Sequence, residues 1–195
     1  MSKVWPATLT LGDVTLRPIR PADAKRWQEL RRANQEWMQE WEATAPFPIA
    51  DPAPTFRQLI RKLLRDAKEG RGLPFIVEYR GEFCGQLTVS DITYGSARGC
   101  HFGYWIDEDY SGLGIMTTAA ALVTEHLFNV AKLHRVEIAV RPENEPSNKL
   151  VQRLGFRFEG IRKSFLHINN SWRDHNIYAM TAEEHTQNLL DRIKS

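Results

Sequence analysis

The segment Ser111-Gly112-Leu113-Gly114-Ile115-Met116 carries the clearest chemical signal in this chain of 195 residues. Glycines let a main chain approach a ligand closely, and a helix starting at this point leaves its first N–H groups without carbonyl partners. With the helix dipole behind them, such groups bind a phosphate or pyrophosphate. A plain tight turn with two glycines would look the same in isolation. Two other phosphate-binding patterns fail on the residues. A Walker-type loop ends in Gly-Lys-Ser/Thr, and Met116-Thr117 supplies no lysine. A dinucleotide-binding turn needs a third glycine where Thr117 stands, although Glu143 lies at about the distance of the ribose acid. That pattern also requires further helix–strand alternation, whereas an antiparallel hairpin is expected to follow.

Other residue types that attract chemical readings belong to the core or the surface. The six histidines show no paired short spacing with cysteine, so no zinc site is expected. Cys84 and Cys100 fall on expected strands and read as small core residues rather than nucleophiles. Two cysteines give no disulfide framework, which points to a reducing compartment. Trp27, Trp37 and Trp41 recur at helical spacing, as core residues or as an aromatic wall for an acceptor, with Ala45 to Pro54 as its lid.

The elements that must position the glycine turn are legible in the pattern. Val14 to Ile19 alternates as a strand and is stopped by Pro18 and Pro21; Asp23 opens a helix with the stripe Trp27, Leu30, Trp37, Met38 and Trp41. The prolines 46, 48, 52 and 54 mark a loop. A second helix carries Phe56, Ile60, Leu63, Leu64 and Ala67 and ends at Gly70 and Gly72. Pro74–Tyr79, Glu82–Ile92 and Cys100–Ile106 read as an antiparallel meander. A long helix then runs from Gly114, followed by a strand Arg135 to Val140 and a short helix Pro146 to Leu154. A hairpin follows, Phe156–Ile168 and Trp172–Met180 across Asn169-Asn170, and a polar amphipathic helix closes the chain. One strand–helix–strand unit inside an antiparallel sheet predicts an α+β fold with helices on both faces.

Composition bounds the rest. Residues 1–195 fit one domain. Lys and Arg number 26 against 24 Asp and Glu, giving +2 spread along the chain, so neither nucleic acid nor a membrane is an expected partner. Trp5, Pro6 and Thr8 interrupt any apolar run at the start, so no signal peptide is read there and a cytoplasmic protein is expected. A monomer or weak homodimer is expected.

The order of these pieces resembles the GNAT family, whose pyrophosphate turn reads R/Q-x-x-G-x-G/A, and within it the RimJ/RimL type of ribosomal-protein N-acetyltransferases. The matching pieces are Leu16-Arg17-Pro18, Gly103-Tyr104-Trp105-Ile106, Gly112-Leu113-Gly114-Ile115-Met116, Asn144 with Ser147-Asn148, Leu154-Gly155-Phe156, Glu159-Gly160 and Trp172-Arg173-Asp174-His175. Ser111 departs from the family's Arg or Gln, and Met116 replaces a small residue without obstructing main-chain N–H groups.

The resemblance implies a GNAT acyl-CoA N-acyltransferase fold, acetyl-CoA as co-substrate, no metal, and direct transfer to an amine. It implies that Ser111, Gly112, Leu113, Gly114, Ile115, Met116 and Thr117 hold the pyrophosphate. Tyr104, Trp105 and Ile106 would run beside pantetheine, and Asn144 beside the cofactor. The implied acceptor is a protein N-terminus, a ribosomal protein in this subgroup, with small amines and a weakly catalytic acyl-CoA-binding or ribosome-assembly role as alternatives. An α-amine with a pKa near 8 is roughly a tenth neutral around pH 7, so such an acceptor needs only a weak base. His101 and Glu159 are the candidate bases, with Asp174 and His175 behind them. Ser147 is the candidate proton donor to the departing thiolate, or else a helix cap.

Overall fold

The computed structural model describes residues 4–46 and 55–193. Eight strands form one sheet in the order β1-β2-β3-β4-β5-β6-β8-β7. The first five, β1 (Leu9–Leu11), β2 (Val14–Pro18), β3 (Leu73–Tyr79), β4 (Glu82–Ser90) and β5 (Gly99–Ile106), pair antiparallel in sequence. β6 (Arg135–Val140) lies parallel to β5. The hairpin of β7 (Arg157–Ile168) and β8 (Ser171–Thr181) completes the sheet, with β8 against β6. The helices are α1 (Ala24–Ala33), α2 (Gln35–Gln39), α3 (Phe56–Lys68), α4 (Ile115–Asn129), α5 (Glu145–Arg153) and α6 (Leu189–Arg192). Among the described residues, no helix is long and apolar enough to cross a membrane.

Strand alternation sends neighbouring side chains to two separate cores, which is why helices cover both faces. Phe75, Cys84, Cys100 and Phe102 join the larger core with Ile115, Ala119, Val123 and Leu127 of α4 and Leu150, Val151 and Leu154 of α5. The adjacent Ile76 and Phe83 point the other way, into a smaller core with Ile19, Leu30, Phe56 and Ile60. Twelve of the fifteen residues of α4 are buried, so this helix is the central support of the larger core. α3 starts with a reciprocal cap, Thr55 Oγ1 accepting from the Gln58 N–H and Gln58 Oε1 from the Thr55 N–H.

Several expectations are corrected. The single helix from Asp23 is a short 3-10 turn (Pro21–Asp23) followed by α1 and α2, broken at Asn34. The Asn34 amide group donates to the Leu30 carbonyl at 3.0 Å and to Asp107 Oδ1 at 2.9 Å, while its oxygen accepts from the Glu108 N–H at 2.8 Å. A buried asparagine committed in this way competes with the helical backbone. Trp41 therefore lies beyond α2. The closing helix is the single turn α6, and its first N–H donates to buried Glu125. The three-residue β1 is too short to show alternation and was not expected. Of the proline loop and its lid, residues 47–54 lie outside the described residues.

Candidate active site

The pairing of β5 with β6 covers only Gly99–His101 against Arg135–Glu137. Beyond His101 the two strands diverge, and a cleft of about 140 Å³ opens between them. Gly103 and Tyr104 of β5, Ile138 to Val140 of β6, Asn144 and Ser147 at the start of α5, and Trp41, Arg141, Ile168 and His175 line it. On its other side β5 stays paired with β4 as far as Ile106, so the β5 edge facing the cleft is free to bond an extended ligand. The Ile106 carbonyl is shared with the Trp37 indole N–H at 3.3 Å.

The glycine turn sits where β5 passes through a 3-10 turn (Glu108–Tyr110) into α4. Gly112 and Gly114 have φ of 76° and 75°, and nothing stands within 4 Å of a Cβ added at either. The glycines are therefore required by backbone conformation, and the space above them is open. Thr118 makes the first intrahelical bond of α4, to Gly114 at 3.0 Å, so the N–H groups of Ile115, Met116 and Thr117 precede the helical ladder. The Met116 side chain is buried in the larger core, away from those N–H groups. Ser111 uses its own N–H on the Glu108 carbonyl at 2.9 Å. The open turn and the free edge of β5 together fit the diphosphate and the arm of acetyl-CoA.

At α5 the cap is Asn144, whose Oδ1 accepts from the Ser147 N–H at 3.1 Å. The Ser147 hydroxyl is thereby left out of the capping role and stands in the cleft wall. Beside it, the Tyr104 hydroxyl is shielded from solvent without a hydrogen bond of good geometry. Burial pushes its pKa up to about 12, an effect that nearby Ser147 opposes. Asn148 anchors α5 to the sheet: its oxygen accepts from Asn176 at 3.0 Å and from Tyr178 at 2.9 Å.

Those two bonds fix the orientation of β8. Asn176 and Tyr178 face α5, so Arg173, His175 and Ile177 face the opposite side of the sheet. His175 is buried and lines the cleft from that side. Its Nδ1 lies 3.1 Å from the Arg173 carbonyl, which can only accept, so the proton is assigned to Nδ1 and the Nε2 lone pair is left over. Burial lowers its pKa from the ordinary 6.5, against the opposing pull of the Arg173 carbonyl. The ring is neutral at pH 7.

The other expected bases are placed elsewhere. His101 is exposed at the paired end of β5, with its Nε2 3.4 Å from Asp91, and does not line the cleft. Glu159 is held by Arg135 at 3.0 Å and by Arg157 at 2.7 Å. Those bonds, Arg135 foremost, lower its pKa to about 2, and a carboxylate so committed is a poor proton acceptor. Asp174 is engaged by Lys163 at 2.7 Å and by the Ser164 N–H at 2.9 Å. Trp105 points into the smaller core against Phe83, so any cofactor contact there is through its main chain. Sequence reading missed Arg141, which stacks 5.0 Å over Trp41 and donates to the Glu40 carbonyl at 2.7 Å. Only its place just past the end of β6 hinted at it. Among the described residues, no three His, Cys, Asp or Glu side chains are grouped to hold a metal.

Comparison with known proteins follows the same lines. Residues 13–157 match the family described as the acetyltransferase (GNAT) domain. Mycobacterium smegmatis RimJ, solved in complex with CoA-disulfide, superposes with a TM-score of 0.91 at 38% identity, covering 100% of this chain and 96% of that one. The [Ribosomal protein uS5]-alanine N-acetyltransferase of Escherichia coli (strain K12) is 28% identical over 191 residues, 95% of this chain and 96% of its own length. The spermidine N(1)-acetyltransferase of the same strain is 29% identical over 164 residues, 83% of this chain and 82% of its own.

Proposed function

The chain belongs to the GNAT acetyltransferase family and is an acetyl-CoA-dependent N-acetyltransferase; from that premise we propose that it acetylates the free α-amine of a protein N-terminus, a ribosomal protein, by direct attack in a ternary complex. The observation that carries the reading is the diverging β5–β6 cleft, walled by Ser147 on the α5 side and by neutral His175 on the other.

Acetyl-CoA supplies an activated acyl carbon. The chain supplies an anion site at the first turn of α4 and an open strand edge on β5, which set that carbon in the cleft. A main-chain N–H of β5 facing the carbonyl oxygen would stabilise the negative charge it gains, and such a donor is worth about two to three orders of magnitude in rate. The turn and α5 occupy one face of the sheet, so the acceptor enters from the other, past Trp41, Ile168 and His175. His175 Nε2 takes the proton the amine loses on forming the amide. The Ser147 hydroxyl, with the Tyr104 hydroxyl beside it to orient its oxygen, gives a proton to the sulfur as it leaves and regains one from solvent, while His175 releases the amine's proton to solvent.

The base fits an α-amine. A neutral imidazole of lowered pKa is weak, and a reference α-amine near 8 is already about a tenth neutral at pH 7; a lysine near 10.4 has less than a thousandth. The spermidine relative raises a polyamine as acceptor. Among the described residues no carboxylate lines the cleft, which disfavours a polycation. The name of the uS5-alanine relative favours a ribosomal N-terminus.

The test is to incubate ribosomal proteins lacking N-terminal acetylation with the enzyme and acetyl-CoA, then map the modified sites by mass spectrometry. One or a few α-N-acetylated proteins are expected. Acetyl groups confined to lysine side chains, or none at all, would overturn the protein N-terminus as acceptor.

A further inference from the structure

We propose that Arg173 selects acceptors carrying a carboxylate within the first residues after the acetylated amine, so that the substrate class is an acidic N-terminal segment. The inference rests on the N-terminal reading above.

Charge pairing around the hairpin motivates it. Arg157 pairs with Glu184 at 2.6 Å, Arg162 with Glu137 at 3.4 Å, Lys163 with Asp174 at 2.7 Å, and Arg141 with Glu143 at 3.2 Å. Arg31 of α1 pairs with Glu42. Among the described residues Arg173 alone in this group has no ion pair and no side-chain hydrogen bond. Its Nε is shielded from solvent and unpartnered, while the residue as a whole is half-buried. Leaving a charged donor unmet in a shielded place is costly, and a turn of the side chain that brings the guanidinium to an arriving acceptor group removes that cost. A guanidinium is best matched by a carboxylate, which it can grip with two parallel hydrogen bonds.

Position makes the missing partner a substrate group. Arg173 and His175 lie on the same side of β8, the side from which the acceptor enters, and its main chain already orients His175. Same-side residues two apart on a strand are separated by about 6.6 Å. An extended acceptor advances about 3.3–3.6 Å per residue. With its amine at His175, the side chain of its second or third residue comes level with Arg173. Among the described residues no carboxylate lines the cleft to compete for that charge.

The experiment compares kcat/KM for peptides identical except for Asp, Asn or Lys at the second or third residue. Wild-type enzyme should favour Asp over Asn by about tenfold at one of those positions, with Lys poorest. The Asp/Asn ratio should collapse to near one in Arg173→Gln, and Arg173→Glu should turn the preference toward Lys. A ratio is read rather than a rate, so a partly destabilised variant still reports. Equal use of Asp and Asn peptides by the wild type, or a preference that survives Arg173→Gln, would overturn the proposal while leaving N-terminal acetylation standing. Acetylation of spermidine with no peptide acetylated would overturn both.

Discussion

The division of work between Asn144 and Ser147 shows how a single side chain acquires its chemistry. Serine near a helix start ordinarily caps it. Here Asn144 takes that bond at 3.1 Å, and the serine hydroxyl remains available in the cleft. Ser147→Ala should lower kcat by about two orders of magnitude, the size of a lost general acid, with the KM for acetyl-CoA little changed. Steady-state kinetics with a good peptide acceptor would show it. His175 gives a sharper signature. Burial places its pKa below 6.5, and the proposed role as base requires the neutral ring. The rate should fall as pH drops through that lowered value, so the acid limb lies below pH 6.5. In His175→Gln that limb should vanish along with about a hundredfold in rate; a limb unchanged by the substitution would remove His175 as the base. Asn144 and Ser147 were legible because they share a short segment. Which histidine lines the cleft was not, because His101 and His175 are both strand residues, and only the pairing of β6 with β8 and of Asn176 with Asn148 puts His175 there.

At the scale of elements, the cleft depends on how strands part and how the glycine turn is held. Asn34 ties the α1–α2 junction to Asp107 and Glu108, just before that turn. Asn34→Ala should cost about 1–3 kcal/mol, since it strips partners from a buried carboxylate and from an N–H group. A denaturation midpoint measures that cost, and a raised KM for acetyl-CoA should accompany it. Glu159 braces β7 to β6 through Arg135. Its folded pKa of about 2 lies below the ordinary 4.5, so its contribution is full above 4.5 and lost as pH falls toward 2. Glu159→Gln should therefore flatten the loss of stability between pH 4.5 and 2, read from melting temperatures across that window. α3 and α4, the meander and the Asn169-Asn170 turn were legible from local periodicity and turn residues. The break at Asn34 was not, because its partner Asp107 lies 73 residues away.

The whole molecule places two chemistries on opposite sides of one sheet. The glycine turn, α4 and α5 stand on the side of the larger core, and the proposed acceptor entrance past His175 and Trp41 lies on the other. The family's architecture was legible from the order of its motifs, while the character of the acceptor side depends on charges brought together only by folding. The central claim, transfer to an N-terminal α-amine, is most directly tested by a one-pot competition. A peptide with a free N-terminus and an internal lysine, the same peptide blocked at its α-amine, and spermidine would share one reaction with acetyl-CoA, and fragment masses would locate each acetyl group. The account predicts acetyl at the free N-terminus alone. Acetyl on spermidine or on lysine, with the free N-terminus unmodified, would contradict it.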